Sequence, residues 1–374
     1  APPPVKPEAK VRYMVLTCYT GAPASAGVPV QCGVKDGLEW WAEQHNIPIE
    51  VLWEESGCDV RRALLIWKRA KAAGCTGQAC VASSSVYACS KKAIEDNMIT
   101  TGGTAFSSPW WTEPERWAFS SCAPYCRMAA SAVKWIKDNW TETRNPRIGV
   151  ILYDDVGAWD FGHGAEWGCK EYGADFLGYE VVPFLGTIDT TTELMRFEAK
   201  GADWIFIGAT GTSQATMIFD IGKLGLKEKG IKFLCWYAGW DDQLPVVGET
   251  MWGFYHVGGV PEMCEADKEA YPEGFKVVME LAKRKQGWSE SETNYAYLTG
   301  WPIGSAIAEA IRLAIEKVGI ENVDGKAVRD AMVSIRDLDI GIMEPVSVSE
   351  EEPWVGSMVR ISRMEEGSKI VPVT

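Results

Sequence analysis

Short apolar runs alternate with helix-forming stretches along most of this chain, and many of the runs end in a loop of small residues. That alternation constrains the fold more than any other feature. Strands that alternate with helices pair in parallel and carry helices on both faces of the sheet. In the first series, Arg12 to Thr17 (RYMVLT), Ile47 to Trp53 and Cys80 to Ala82 read as strands. Val30 to Gln44, with Val30, Val34, Leu38 and Trp41 at helical spacing, and a segment capped by Asp59 read as helices.

A second series repeats the pattern. Arg147 to Tyr153, Phe176 to Val182, Asp203 to Ile207 and Lys232 to Trp236 are its strands. Asp154 to Gly164 reads as a loop before a helix over Ala165 to Tyr172, and Thr190 with Glu193 forms a capping box. Two long helices, Cys264 to Gln286 and Leu298 to Val318, then lead to a capped helix near Gly325 and a β-rich tail. Two such series predict an α/β protein of two doubly wound lobes with a cleft between them, a preferred place for small ligands.

The chain has 374 residues, enough for two or three units at about 150 residues per domain. Its net charge of −14 argues against a nucleic-acid partner, which requires clustered Lys and Arg. No stretch reaches the roughly 18 uninterrupted apolar residues of a membrane helix. The opening APPPVKPEAK reads as an extended spacer, as in an exported protein after signal removal or in a trimmed chain. Eleven cysteines without paired knuckles give no zinc site, and one or two disulfides are expected, with Cys122 and Cys126 the nearest pair.

The stretch Cys80 to Phe106 holds the clearest candidate site. Ser83, Ser84 and Ser85 stand where a helix begins, and Gly102, Gly103 and Thr104 follow the next strand. Hydroxyls and unpaired N–H groups at successive strand ends can hold an oxygen-rich group. Taken singly, each loop is an ordinary cap or turn. The repetition at adjacent strand ends favours a site.

These residues, with RIGVILYDD, FIGATGTSQATMIFDIGKLGLK, FLCWYAGWDD and NYAYLTGWPIGSAIAEAI, resemble the type I periplasmic solute-binding proteins, specifically the branched-chain amino-acid-binding family of ABC importers. The likeness runs from Val11 to the end and rests on the order of the motifs. It implies two lobes joined by three crossings, near Cys122, His256 and Ile335. Residues 11–121 and 257–335 would form lobe one, 122–256 and 336–374 lobe two, and 1–10 a linker. It also implies an extracytoplasmic location, permease subunits as partners, an upstream lipid anchor as an option, and no cofactor.

Carried over by position, the resemblance places a ligand carboxylate at Ser83 to Ser85, Gly102 and Thr104. It places an aromatic side chain in VGAWDFGHG, with Trp159 first and Phe161 second, and a further contact at Thr210 and Gly211. Family members that bind amino acids carry an acidic residue where this chain has Ala238, and a tryptophan where it has Ala26. We hypothesise from Ala238 that the ligand bears a carboxylate but no α-ammonium; tight calorimetric binding of leucine or valine would contradict this. Tyr19, Tyr87, Tyr237 and Trp240 are further aromatic candidates. An aromatic cage for a quaternary ammonium, with Asp241 or Asp242 as countercharge, is a second option. Most of the eighteen tryptophans must be packing, with Trp41, Trp67, Trp135 and Trp204 assigned there. Asp154 and Asp155 read as loop or cap residues.

No GxSxG elbow or Cys–His pairing appears, and His45, His163 and His256 stand alone, so an enzyme is disfavoured. A ligand-sensing module or amide sensor of the same fold is the alternative class.

Overall fold

The computed structural model describes residues 9–20, 24–103, 116–184, 186–236, 240–290 and 292–374. The first series contains β1 (Val11–Thr17), α1 (Ala24–Gln44), β2 (Ile49–Glu55), α2 (Val60–Ala72), β3 (Cys75–Cys80), α3 (Ser83–Asp96), β4 (Ile99–Gly102) and β5 (Ala118–Cys122). The second contains α4 (Tyr125–Asp138), β6 (Arg147–Tyr153), α5 (Val156–Tyr172), β7 (Asp175–Val182), α6 (Thr191–Ala199), β8 (Trp204–Gly208), α7 (Gly211–Lys223), β9 (Lys232–Cys235), α8 (Leu244–Val247) and β10 (Tyr255–Gly258). After it come α9 (Glu265–Ala270), α10 (Pro272–Leu281), α11 (Tyr295–Val318), α12 (Gly325–Met332), β11 (Trp354–Gly356), β12 (Arg360–Glu365) and β13 (Lys369–Pro372).

The strands form two sheets, in the orders β11-β5-β4-β3-β1-β2 and β13-β12-β10-β9-β8-β6-β7. All pairs of the first sheet are parallel; in the second, only β12 and β13 run antiparallel to their neighbours. Within each sheet the strand order reverses once, between β1 and β3 and between β6 and β8. Loops leaving the carboxyl ends of those strands diverge and open a crevice.

Several local expectations change. The third crossing lies between Gly356 and Arg360 rather than near Ile335, because Trp354–Gly356 pairs with β5 of the first sheet. The expected helix Cys264 to Gln286 is interrupted at Tyr271, which has φ −131° and ψ 57° before Pro272. Proline disfavours the helical conformation in its predecessor and offers no N–H of its own. Thr190 makes no side-chain cap on α6; its N–H and hydroxyl both donate to Asp220 at 2.6 and 2.9 Å. Asp59 does cap α2, accepting the Arg62 N–H at 2.8 Å.

All eleven cysteines are free thiols, so the expected disulfides are absent. Cys122 is packed under Gly259 in the core, whereas Cys126 faces an outer groove, and the two point apart. Trp67 and Trp204 are fully buried and Trp41 nearly so, while Trp135 stands edge-on to Trp204 with ring centroids 6.1 Å apart.

The long helices α1 and α11 cross through a seam of glycines. A Cβ on Gly37 would come within 2.7 Å of the Trp301 carbonyl oxygen, and Gly33, Gly300 and Gly304 face opposing backbone more closely still. The seam brings the start of α1, and with it Gly27, against the carboxyl ends of β1 and β3.

Candidate functional site

Both crevices face one another. Between them lies a narrow cavity of about 40 Å³ lined from both halves. From the first half come Ala26 and Gly27 at the start of α1, Cys58 after β2, and Val81, Ala82 and Ser83 at the junction of β3 and α3. From the second come Tyr125, Tyr153, Asp155, Phe184, Thr210 and Trp236. Cys58, Asp155 and Phe184 also line a groove of about 1240 Å³ that opens outward, past Ser84, Trp159 and Trp167 and the guanidinium groups of Arg61, Arg62 and Arg127.

Two helix starts face the cavity without a side-chain cap. Ala82 precedes α3 and has no side-chain oxygen; Thr210 precedes α7 but makes no cap bond, its hydroxyl lying 3.3 Å from that of Tyr153. Their first N–H groups carry partial positive charge. Trp236 adds a donor: its Nε1 is buried and has no partner among the described residues. Tyr125 stacks on Trp236 at 4.6 Å and 25°, and Tyr153 meets Trp236 and Phe184 edge-on at 5.7 and 4.9 Å.

Contacts cross between the halves at both sides of the cavity. Tyr125 hydrogen-bonds with Ser83, and Ser84 with Asp155. Farther in, the Gln243 Nε2 donates to the Ser25 hydroxyl at 3.3 Å, and the Tyr295 N–H at the start of α11 donates to Asp241 at 2.7 Å. Asp155 caps α5 by accepting the Gly157 N–H at 2.9 Å, as its position after a strand implied. Burial raises its pKa, and the Gly157 N–H and the Ser84 hydroxyl partly offset that rise.

Among the sequence candidates, Ser83 and Thr210 line the cavity, and Ser84 and Trp159 line the groove. The others described lie elsewhere. VGAWDFGHG is helical rather than a loop, and the helical period turns Phe161 into the core, 5.9 Å from both Phe206 and Trp236. Trp159, half-buried, donates to Asp154 at 2.8 Å. Ser85 is buried within α3, Gly102 is buried at the end of β4, and a Cβ on Gly103 would stand 2.6 Å from Val30 Cγ1 of α1. Tyr19 is exposed and accepts the Trp53 Nε1–H at 3.1 Å; Trp240 is buried, stacked on His256 at 4.7 Å. Thr104, Tyr237 and Ala238 lie outside the described residues.

Sequence reading missed Tyr125, Tyr153, Asp155, Phe184 and Trp236 as cavity residues. Position was the available signal, since four of the five follow or end a strand of the second sheet. Among the described residues no group of three metal-ligating side chains assembles, and no helix is long and apolar enough to cross a membrane. His256 is buried with its Nδ1 2.8 Å from Glu262, away from the cavity.

Two doubly wound halves, three crossings and a cavity between opposed strand ends define the type I periplasmic binding protein fold. The chain belongs to the periplasmic binding protein family, whose model matches residues 11–365. Similar solved structures include a branched-chain amino acid ABC transporter protein from Thermus thermophilus with bound valine, at TM-score 0.84 and 18% identity, covering 98% of this chain and 95% of that one. A fatty acid ABC transporter substrate-binding protein from Thermomonospora curvata matches at TM-score 0.81 and 14% identity, covering 98% and 92%. A solute-binding protein from Rhodopseudomonas palustris BisB5 in complex with 3,4-dihydroxybenzoic acid matches at TM-score 0.77 and 15% identity, covering 97% and 95%. Comparison with curated proteins returns no match.

Proposed function

We propose that this chain is the extracytoplasmic solute-binding subunit of an ABC importer and closes its two halves on a small carboxylate-bearing ligand. The observation that carries this reading is the donor-rich cavity. It is lined by the uncapped starts of α3 and α7, by Ser83 and by Trp236, whose Nε1 has no partner among the described residues. Such donors hold a carboxylate through charge-assisted hydrogen bonds without a buried lysine or arginine. At about 40 Å³ the cavity is far below the roughly 300–1,000 Å³ of ordinary ligand pockets, so the halves must part to admit a molecule. That is the hinge motion on which delivery to permease subunits depends.

The test is a thermal-shift and calorimetric screen of monocarboxylates, benzoates and amino acids, paired with native mass spectrometry of the purified protein. A true ligand raises the midpoint with the logarithm of its concentration over Kd. Ser83→Ala should weaken it about tenfold. Silence of the whole carboxylate panel would reject the reading.

A further inference from the structure

Among the described residues the cavity is generous in donors and has one negative side chain, Asp155. We propose that the ligand is a zwitterion whose positive end is a fully alkylated ammonium group, seated against Asp155 among the rings of Tyr125, Tyr153, Phe184 and Trp236. This inference rests on the carboxylate reading and names the class of molecule within it.

Charge balance is the first argument. Among the described residues no cation acts on Asp155, and none of those lining the narrow cavity is Lys, Arg or His. A ligand with only a carboxylate would bring a second negative charge toward Asp155 in a poorly solvated space, which is strongly unfavourable. A zwitterion carries its own compensation: its carboxylate turns to α3, α7 and Trp236, and its cation turns to Asp155.

Hydrogen bonding selects the kind of cation. Asp155 already accepts from the N–H groups of Val156 and Gly157 and from the Ser84 hydroxyl. The Tyr153 hydroxyl is paired with Thr210, and Tyr125 with Ser83. Few acceptors are left for the three N–H bonds of a primary ammonium, and a buried donor without a partner is costly. A trimethylammonium group has no N–H to satisfy. Its charge is spread over methyl groups, which pack on aromatic faces and are attracted by the ring quadrupoles. Asp155, Cys58 and Phe184 border both cavity and groove, so the part of such a ligand that exceeds the narrow cavity has room at the inner end of the groove.

The experiment uses isosteric pairs. Trimethylammonioacetate, 3-trimethylammoniopropanoate and 4-trimethylammoniobutanoate are titrated calorimetrically against their carbon isosteres, in which a quaternary carbon replaces nitrogen. Each pair shares shape and carboxylate and differs in one positive charge. The expected result is that at least one zwitterion binds at least tenfold more tightly than its isostere. Asp155→Asn, which retains a good helix cap, should abolish that preference, and Tyr153→Leu should reduce it. Equal or tighter binding of the isosteres overturns the inference and leaves the carboxylate reading standing. If no zwitterion binds while benzoates or other acids do, the inference again fails alone. If no carboxylate of any kind binds, both fail.

Discussion

Gly157, at the start of α5, lies against the Ser83 side chain across the gap between the halves. A Cβ at position 157 would overlap the Ser83 Oγ and stand 2.8 Å from Tyr125 Cε2. The glycine is required by this close approach, not by its dihedral angles, since it is absent from the positive-φ residues. A side chain there is a wedge between α3 and α5. Gly157→Val should favour the parted arrangement, enlarge the radius of gyration in small-angle scattering and weaken ligand binding at least tenfold. Gly157→Ala should show the same trend more mildly, because the Ser83 hydroxyl can rotate away. Unchanged scattering and affinity in the valine variant would show that the halves do not close on this contact.

The glycine seam between α1 and α11 makes a stability prediction independent of any ligand. Gly300 faces the Val30 carbonyl oxygen and the Val34 N–H, both backbone atoms that cannot rotate aside. Gly300→Val should therefore destabilise the fold by about 3 kcal/mol or more, at the upper end of the range for overpacking. Urea denaturation of purified protein checks this. A loss below about 1 kcal/mol would mean that the helices separate with little penalty.

The alternation of strands and helices was legible because each run is long enough to show its period. The first half of helix α5 was not. Its sequence VGAWDFGHG contains three glycines, which read as loop, yet all three are contact positions: Gly157 on Ser83, Gly162 on Tyr179, and Gly164 on the backbone of Cys126. Glycine marks close approach as readily as a turn, and sequence alone does not separate the two. That misreading moved Phe161 from core to cleft. The ring of Tyr125, Tyr153, Phe184 and Trp236 was hidden for another reason: its members come from four separate strand-end segments, and only the sheet order brings them together. The place of Ser83 was legible because the β3–α3 junction that presents it is local in sequence.

Stability should depend on pH through Asp241 and Asp242, which follow β9 and reach the first half at Tyr295 and Ser25. Burial pushes Asp241 up to about 7 and Asp242 up to about 6, from an ordinary value of 3.8. Between about pH 4 and 7 the folded chain therefore holds more protons at these groups than the unfolded chain, so their contribution to stability falls as pH rises. Below pH 4 and above 7 it is flat. The double variant Asp241→Asn, Asp242→Asn should show a smaller decline of the thermal midpoint from pH 4 to 7 than the parent. An identical slope in both proteins would remove these carboxyls from the account.

Thr190 and Glu193 have the spacing of a capping box, but the structure assigns the Thr190 N–H and hydroxyl to Asp220 of α7 instead. The two readings make opposite predictions. If the capping box held the start of α6, Glu193→Ala would cost about 1 kcal/mol, as the loss of a cap does. On the observed geometry that variant should change stability by less than about 0.5 kcal/mol. Asp220→Ala, which removes a charged acceptor from two buried donors, should cost about 2–3 kcal/mol. Thr190 is fully buried and Asp220 nearly so, and no water can readily replace the lost partner. Chemical denaturation of the two single variants decides between them, and a larger loss for Glu193→Ala would return α6 to its local cap.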